Sequence, residues 1–557
     1  MITLPPRFGK SINIDMIKRF VELKESSSSR DDVSRLFEGT NISFETKIME
    51  EHFMSYPVIQ LNLAGIPSTF ISAFSTIWQK VTNAFREHEY LLASEELNDG
   101  DKKLFSKFIE SCPNWNEYVQ TELENSLVYL ATFLGKHFKK ERRCVVLVDE
   151  FDAPVTNAMF TVTSDELLKI IKLRDGMLGN ILKNSIGGTK YSFAILTGVA
   201  DVICSVASPL RSLSRSRFLQ EEAFFHFYGV SQSEFDDLTK NTDRDVRERM
   251  ELHYNGYKLN GMNLFNTWSV VKSLTLNIVE PFWIEETNII SNFRTLLSND
   301  KFSSIVKDLI AEKGVSYSIP LNTVLNADDL TLIAKCCKEP SRLTDVDIIL
   351  VFLFQNGYLT KSENMKLLQI PNIEIRENLR NLYYRFFSID CNISMLEINN
   401  CSSSFKALLN CIPHKHVTEM RQFCKSFQRL CISYQSDLLN HQVIHSLIFV
   451  VTLKTDILWS VISVECPIGK TYSNSKRCDV VLYHNGLLII IEVKYKISAE
   501  KALEQIIKKD YLKIAMNKKI IKNRKELKYY VCLGIAVDER KVVTMKLKVL
   551  DEMKKEI

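Results

Sequence analysis

The chain has 557 residues, of which 45% are hydrophobic, 25% charged and 10% aromatic, a globular composition that excludes disorder, a collagen repeat and a coiled-coil rod. Such a length exceeds one hydrophobic core, so several domains are expected. The net charge of +4 is the remainder of 71 basic and 67 acidic residues, which excludes a global electrostatic footprint and requires any basic binding face to be local.

The segment LPPRFGKS sets Gly9, Lys10 and Ser11 ahead of a helix-like run that begins near Ile12. In a phosphate-binding loop, glycines let backbone N–H groups wrap the phosphates, the lysine reaches the outer phosphates and the serine hydroxyl binds Mg²⁺. Leu4 stands where the first glycine of G-x-x-x-x-G-K-[ST] belongs. The serine run Ser26 to Ser29 is read as a loop. Three apolar runs, Pro57 to Leu63, Cys144 to Val148 and Tyr191 to Thr197, are separated by helical patterns. They predict buried parallel strands and an α/β domain in the first 200 or so residues. The second run continues as VVLVDEFDAPV, placing Asp149 and Glu150 at a strand end. There they suit either a helix N-cap or a nucleotide site, with Asp149 holding Mg²⁺ through water and Glu150 orienting the attacking water.

From about Ser231 to Cys431 the pattern becomes amphipathic helices, such as Asp345 to Phe354 before a turn at Asn356 and Gly357. Beyond Ser433 it predicts a helix over His441 to Val451 and strands near Ser460 to Val464, Cys478 to Tyr483 and Leu487 to Val493. Asn485-Gly486 between the last two is a hairpin signal, since both turn positions favour positive φ. A helix follows from Ser498, and a tail from Lys508 to Lys525 interleaves Lys and Arg with Ile, Leu and Tyr, either a solvated face or a binding face.

That hairpin carries chemistry. Glu492 lies thirteen positions after Asp479, and Lys494 two after Glu492. Residues two apart on a strand share a face, and the hairpin brings Asp479 alongside, so two carboxylates and an ammonium converge. Two oxygen ligands suit Mg²⁺, which keeps waters and takes substrate phosphate oxygens. With Lys494 beside an activated water, phosphodiester hydrolysis is the chemistry such a site fits. The bare D-x12-E-x-K pattern also arises by chance, but a charge directly after LLIII is a poor choice for a merely structural strand.

The stretch GKTYSNSKRCDVVLYHNGLLIIIEVKYKISAEKALEQIIKKDYLKI resembles the nuclease module of the PD-(D/E)XK superfamily, in the branch fused to an AAA-ATPase-like domain. The resemblance implies Mg²⁺ or Mn²⁺ ligands at Asp479 and Glu492, a catalytic lysine at Lys494, and catalytic Gln505 and Tyr511 on the next helix. Glu465 stands at an acidic position before the hairpin, a further candidate metal ligand, and Arg477 at the basic position ahead of the aspartate. In LLNHQVIHSL, His441 replaces an acidic residue of related proteins and is a further candidate metal ligand. Upstream, PPRFGKS, LFEGTNI, YPVIQLNL, VVLVDEFDAPV, ILTGV, YNGY, NGYLT and QIPNIEIR occur in the family's order. They imply an ATP site using Arg7, Gly9, Lys10, Ser11 and Asp149, with Glu150 catalytic and Thr197 sensing the terminal phosphate. After Met1 only Ile2, Thr3 and Leu4 precede PPRFGKS in place of a full strand, so a poorly held loop and weak ATP binding are expected.

The resulting fold class is α/β. It has a P-loop-type three-layer α/β domain over 1–230, a mainly helical region over 231–431, and a restriction-endonuclease-like α/β module over 432–557. The expected activity is metal-dependent cleavage of nucleic acid, DNA ahead of RNA, coupled to the ATPase-like domain. The alternatives are a catalytically decayed binding module and an ATP-driven switch without nuclease activity. Thirteen cysteines without paired CxxC or Cys/His spacing read as reduced thiols. No signal-peptide pattern opens the chain and no apolar run reaches about 18 residues, so a soluble intracellular protein without a membrane partner is expected. Nucleus or cytoplasm, and oligomeric state, stay open.

Overall fold

A computed structural model describes residues 1–557 except 24–26, 66, 140–142, 184–190, 204–207, 221–223, 225–226, 260, 284–287, 363–365, 413, 415, 435–438, 456–460, 469–475, 485, 510–526, 552–555 and 557. The chain forms two compact units. One comprises 1–287, 317–361 and 371–374, the other 288–316, 362–370 and 375–557. The middle region is thus shared between them.

The first unit is built on a parallel sheet of order β2-β3-β4-β1-β5: β1 Ile2–Thr3, β2 Val58–Asn62, β3 Cys144–Asp149, β4 Tyr191–Gly198 and β5 Ser216–Arg217. Helix α1, Lys10–Val21, buries Ile14, Phe20 and Val21 against Val58, Val145 and Leu147. The alternate β3 residues Cys144, Val146 and Val148 are buried too, as a strand covered on both faces requires. Helices α2, Phe70–Arg86, and α3, Glu117–His137, contact β2, and α3 also packs on α4, Ser164–Lys183. The serine run, expected as a loop, instead opens a helix over Ser27–Phe37; burial of Val33 and Phe37 in the α1 core decides that outcome over local sequence.

Within the region read as helical, Val230–Ser231, Tyr257–Leu259 and Met262–Phe265 form a small antiparallel sheet whose strands are too short to register as periodic runs. It is followed by α5, Thr267–Leu276. The expected helix near Asp345 is present over Asp347–Gln355.

The second unit contains α6, Asp300–Ile310, α7, Met395–Cys411, and α8, His416–Ser433, ahead of α9, His441–Leu453. Its sheet runs β6 Val461–Ile468, β7 Lys476–His484, β8 Leu487–Tyr495, β9 Tyr529–Val537 and β10 Val543–Asp551 in that spatial order. Only the β8–β9 pair is parallel. Helix α10, Ala499–Lys508, packs Ile506 onto Leu488, Ile490, Tyr530 and Cys532. Its N-cap is Ser498, whose hydroxyl accepts the N–H of Lys501. Tyr511, most of the basic tail and Asn485 of the hairpin turn lie outside the described residues. Among the described residues, no helix is long and apolar enough to cross a membrane.

Candidate functional site

Two clusters of the expected residues form, one in each unit. In the first, β1 is only two residues long yet central: Ile2 and Thr3 pair with Thr197 and Gly198 on one side and with Ser216 and Arg217 on the other. The Leu4 N–H then donates to Gly198 O at 3.0 Å. Side chains from far along the chain hold the loop that follows. Phe8 is fully buried, with its ring 5.2 Å from both Phe218 and Tyr257 in edge-to-face contact. The Tyr257 hydroxyl donates to Gly357 O at 2.7 Å. Gly357 lies so near the loop that a Cβ on it would come within 2.6 Å of Pro5 Cβ. The Trp283 indole N–H donates to Pro6 O at 2.9 Å, and the ring stands edge-to-face on Tyr358. The Trp283 backbone N–H is in turn taken by the buried carboxyl of Glu374, which also accepts from the Ser269 hydroxyl. YNGY, NGYLT and QIPNIEIR therefore act as a collar on the loop. The expectation of a poorly held loop is corrected: these contacts hold it.

Gly9 caps α1, and Lys10, 3% exposed, donates from Nζ to the loop carbonyls of Leu4 and Pro5 at 3.1 and 3.0 Å. Asp149 is buried at the end of β3 and its Oδ1 accepts from the Thr197 hydroxyl at 2.6 Å. The Thr197 hydroxyl thus touches the Asp149 carboxylate. Burial pushes the Glu150 carboxyl up, against the pull of Lys10; its backbone is held at a φ of 55°. Asp152, absent from the sequence-based set, accepts the N–H groups of Val199 and Ala200 and so fixes the end of β4. A cleft of about 550 Å³ is lined by Arg7, Gly9, Lys10, Ser11, Glu150 and, across from them, Trp268 of α5. The Arg7 guanidinium lies 4.8 Å over the Trp268 ring. No sequence pattern marked Trp268.

In the second unit, the β7–β8 register continued by one pair sets Asp479 opposite Glu492, and the β6–β7 register sets Glu465 opposite Asp479. Backbone geometry thus lines three acidic positions in one row across the sheet. The side chains of Glu465 and Arg477 lie outside the described residues. Asp479 is 9% exposed and Glu492 1%. The Val493 N–H donates to Asp479 Oδ2 at 2.6 Å, in place of a ladder bond. Helix α9 reaches in with two histidines: His445 Nε2 bonds Asp479 O at 2.9 Å, and His441 Nε2 bonds Val493 O at 3.0 Å and stands 3.8 Å from Asp479 Oδ2. His441 Nε2 faces oxygens as a donor, and this positions Asp479. His445 was missed because a buried helix-face histidine has no signature of its own.

Lys494 Nζ donates to Glu492 Oε1 at 2.8 Å, and Gln505 Nε2 donates to the same oxygen. Gln505 arrives there because Gly534, paired with Glu492 across β8 and β9, lets α10 approach: a Cβ on it would come within 2.5 Å of Ala499 O. Glu492 Oε2 is buried with no hydrogen-bond partner among the described residues. Burial and the Asp479 carboxylate push Glu492 up to about 7, against the pull of Lys494. For Asp479, burial acts upward but is outweighed by His441, His445 and the Val493 N–H, which hold it below its ordinary value. Among the described residues no three His, Cys, Asp or Glu side chains group as a metal cage. Two adjacent carboxylates with one buried oxygen unpartnered nevertheless fit Mg²⁺ or Mn²⁺, which complete their shells with water and phosphate oxygens.

Residues 1–206 match the family model described as "Predicted AAA-ATPase". An AAA-ATPase-like domain thus occupies this stretch, which contains Arg7, Lys10, Asp149, Glu150 and Thr197. Over 273 residues the chain is 23% identical to an uncharacterized protein in the vnfD 5′ region of Azotobacter chroococcum mcd 1, covering 46% of each chain. The chain therefore spans about half the length of that relative. No solved structure matches.

Proposed function

We propose that this chain is a phosphodiesterase acting on nucleic acid, DNA ahead of RNA, in which an AAA-ATPase-like domain accompanies a PD-(D/E)XK-type site. The observation that carries the reading is the meeting of Asp479 and of Glu492 and Lys494, on the neighbouring interior strands β7 and β8, with Gln505 of α10, and with Glu492 Oε2 buried and unpartnered among the described residues. Asp479 and Glu492 would hold Mg²⁺ or Mn²⁺, which when bound supplies Lewis acidity to a phosphate oxygen and acidifies water. Val493 N–H and the α9 histidines keep Asp479 ionised and aimed. Gln505 fixes the Glu492 rotamer. The Lys494 ammonium, 2.8 Å from Glu492, would hold a non-bridging phosphate oxygen or the attacking water. Incubation of the full chain with Mn²⁺ and single-stranded, double-stranded, flapped and RNA substrates tests this; all four left intact would sink it.

In the AAA-ATPase-like domain, the loop N–H groups, Lys10 and Ser11 would take the phosphates of ATP, Asp149 the Mg²⁺, and Glu150 the water. The Asp149–Thr197 contact favours a second reading, in which nucleotide turnover is the activity and the second unit serves for docking. Lys10→Ala separates the two: it abolishes ATP binding in both, but leaves cleavage standing only in the first.

A further inference from the structure

Away from the carboxylate row, the second unit contains a cavity of about 330 Å³ between α6, α9 and the five-residue π-helical turn Phe386–Asp390. That volume suits one small molecule. Behind its wall lies Lys307, 4% exposed, a buried ammonium that no carboxylate among the described residues neutralises. Its Nζ donates to Ser446 Oγ at 2.9 Å and faces the Tyr383 ring. The Tyr383 hydroxyl donates to the same Ser446 oxygen at 3.4 Å and meets Ser303 at 3.2 Å. Ser446 Oγ therefore accepts from both neighbours, and its own proton has no acceptor among the described residues. Ser446, Tyr383 and Ser303 all line the cavity.

An unpaired buried cation is costly unless an opposite charge arrives. Here the cation polarises a hydroxyl whose free proton an acceptor in the cavity can take. Around that polar floor stand Tyr383, Phe386, Phe387 and Tyr434, flat walls suited to a ring, and the two carboxylates of the lining are already engaged, Asp300 by the Gln442 amide and Asp390 by the Arg294 guanidinium. We propose that this cavity binds a small aromatic molecule bearing one anionic oxygen group, a phosphate monoester or a carboxylate, with the anion on the Ser446 hydroxyl, polarised by Lys307 behind it, and the ring between the aromatic side chains. The binding needs neither ATP nor the carboxylate row.

The test is calorimetric titration of the full chain with phenyl phosphate, benzoate and benzyl alcohol. At least one anion should bind, and which one binds tells phosphate from carboxylate; benzyl alcohol should bind roughly tenfold more weakly or not at all. Lys307→Met should abolish anion binding, and Ser446→Ala should weaken it roughly tenfold, with melting temperature checking that each variant is folded. Absence of binding by both anions, equal binding of the alcohol, or undiminished anion binding in both folded variants would overturn the proposal.

Discussion

The two clusters are held in opposite ways. Around the cleft beside Lys10, the loop begins at Pro5, while the groups that pin it come from Tyr257, Trp283, Gly357 and Glu374, hundreds of residues on. Around the carboxylates, nearly every support is local: Val493 on the same hairpin, Gln505 on the next helix, His441 and His445 on the helix before. A locally supported site tolerates rearrangement elsewhere but fails when one of its few atoms changes. A site held by a collar loses grip in small steps, because each contact carries a fraction of the constraint.

The largest effect follows from that contrast. Asp479→Asn or Glu492→Gln removes a negative ligand with little change in volume, and cleavage should fall by about a thousandfold with the fold retained. Initial rates with Mn²⁺ beside circular-dichroism melting curves check this. Wild-type rates in both variants would mean that the row is not the site.

A smaller effect, in the collar, is readable as pH dependence. Burial pushes Glu374 from 4.5 up to about 8, although Trp283 N–H and the Ser269 hydroxyl act against that rise. A carboxyl whose folded value is raised contributes stability that is complete below about 4.5 and lost as pH climbs through about 8. Between pH 6 and pH 9 the first unit should therefore lose a few kcal/mol, and nucleotide affinity with it, since Trp283 also holds Pro6. Urea unfolding at both pH values should show the loss in wild type and a much shallower one in Glu374→Gln. Equal slopes would remove Glu374 from the account.

These differences also explain what was legible in the sequence. The hairpin with Asp479, Glu492 and Lys494 could be found because strand alternation and one turn determine its geometry within sixteen residues. All three long strands of the first unit could be found as apolar runs. The loop's support could not: nothing in YNGY or NGYLT says that its tyrosine or glycine will meet Pro5 and Phe8, because that depends on tertiary packing over hundreds of residues. The same limit hid Trp268 and Asp152. Ser27–Phe37 misled for the complementary reason, since two buried side chains outweigh weak local preference.

Next in size is Gly534, where local support can be broken without touching a ligand. Gly534→Ala puts a methyl against Ala499 O and Leu503 N, backbone atoms that must move. Displacement of α10 should cost about 1 to 3 kcal/mol and draw Gln505 away from Glu492, lowering cleavage with unchanged metal-ligand residues. Denaturant unfolding and cleavage rates on one preparation measure both. A stability loss with full activity would show that Gln505 does not orient the carboxylate.

The smallest effect is expected at Tyr257, and it sharpens the comparison most. Tyr257→Phe keeps the ring against Phe8 and Phe218 and deletes only the hydroxyl that donates to Gly357 O at 2.7 Å. A neutral buried hydrogen bond of this kind is worth about 1 kcal/mol, and the carbonyl left behind is itself buried. If the loop were loose, ordering it on nucleotide binding would cost roughly 1 to 2 kcal/mol per residue, and one hydroxyl more or less would change little. With the collar in place, that ordering is complete before nucleotide arrives. Mg-ATP should then bind the wild type measurably, Tyr257→Phe about fivefold more weakly, and Lys10→Ala not at all. Calorimetry on the three proteins decides: no binding by the wild type restores the loose loop, and binding unchanged in Tyr257→Phe leaves the collar without a function in nucleotide affinity.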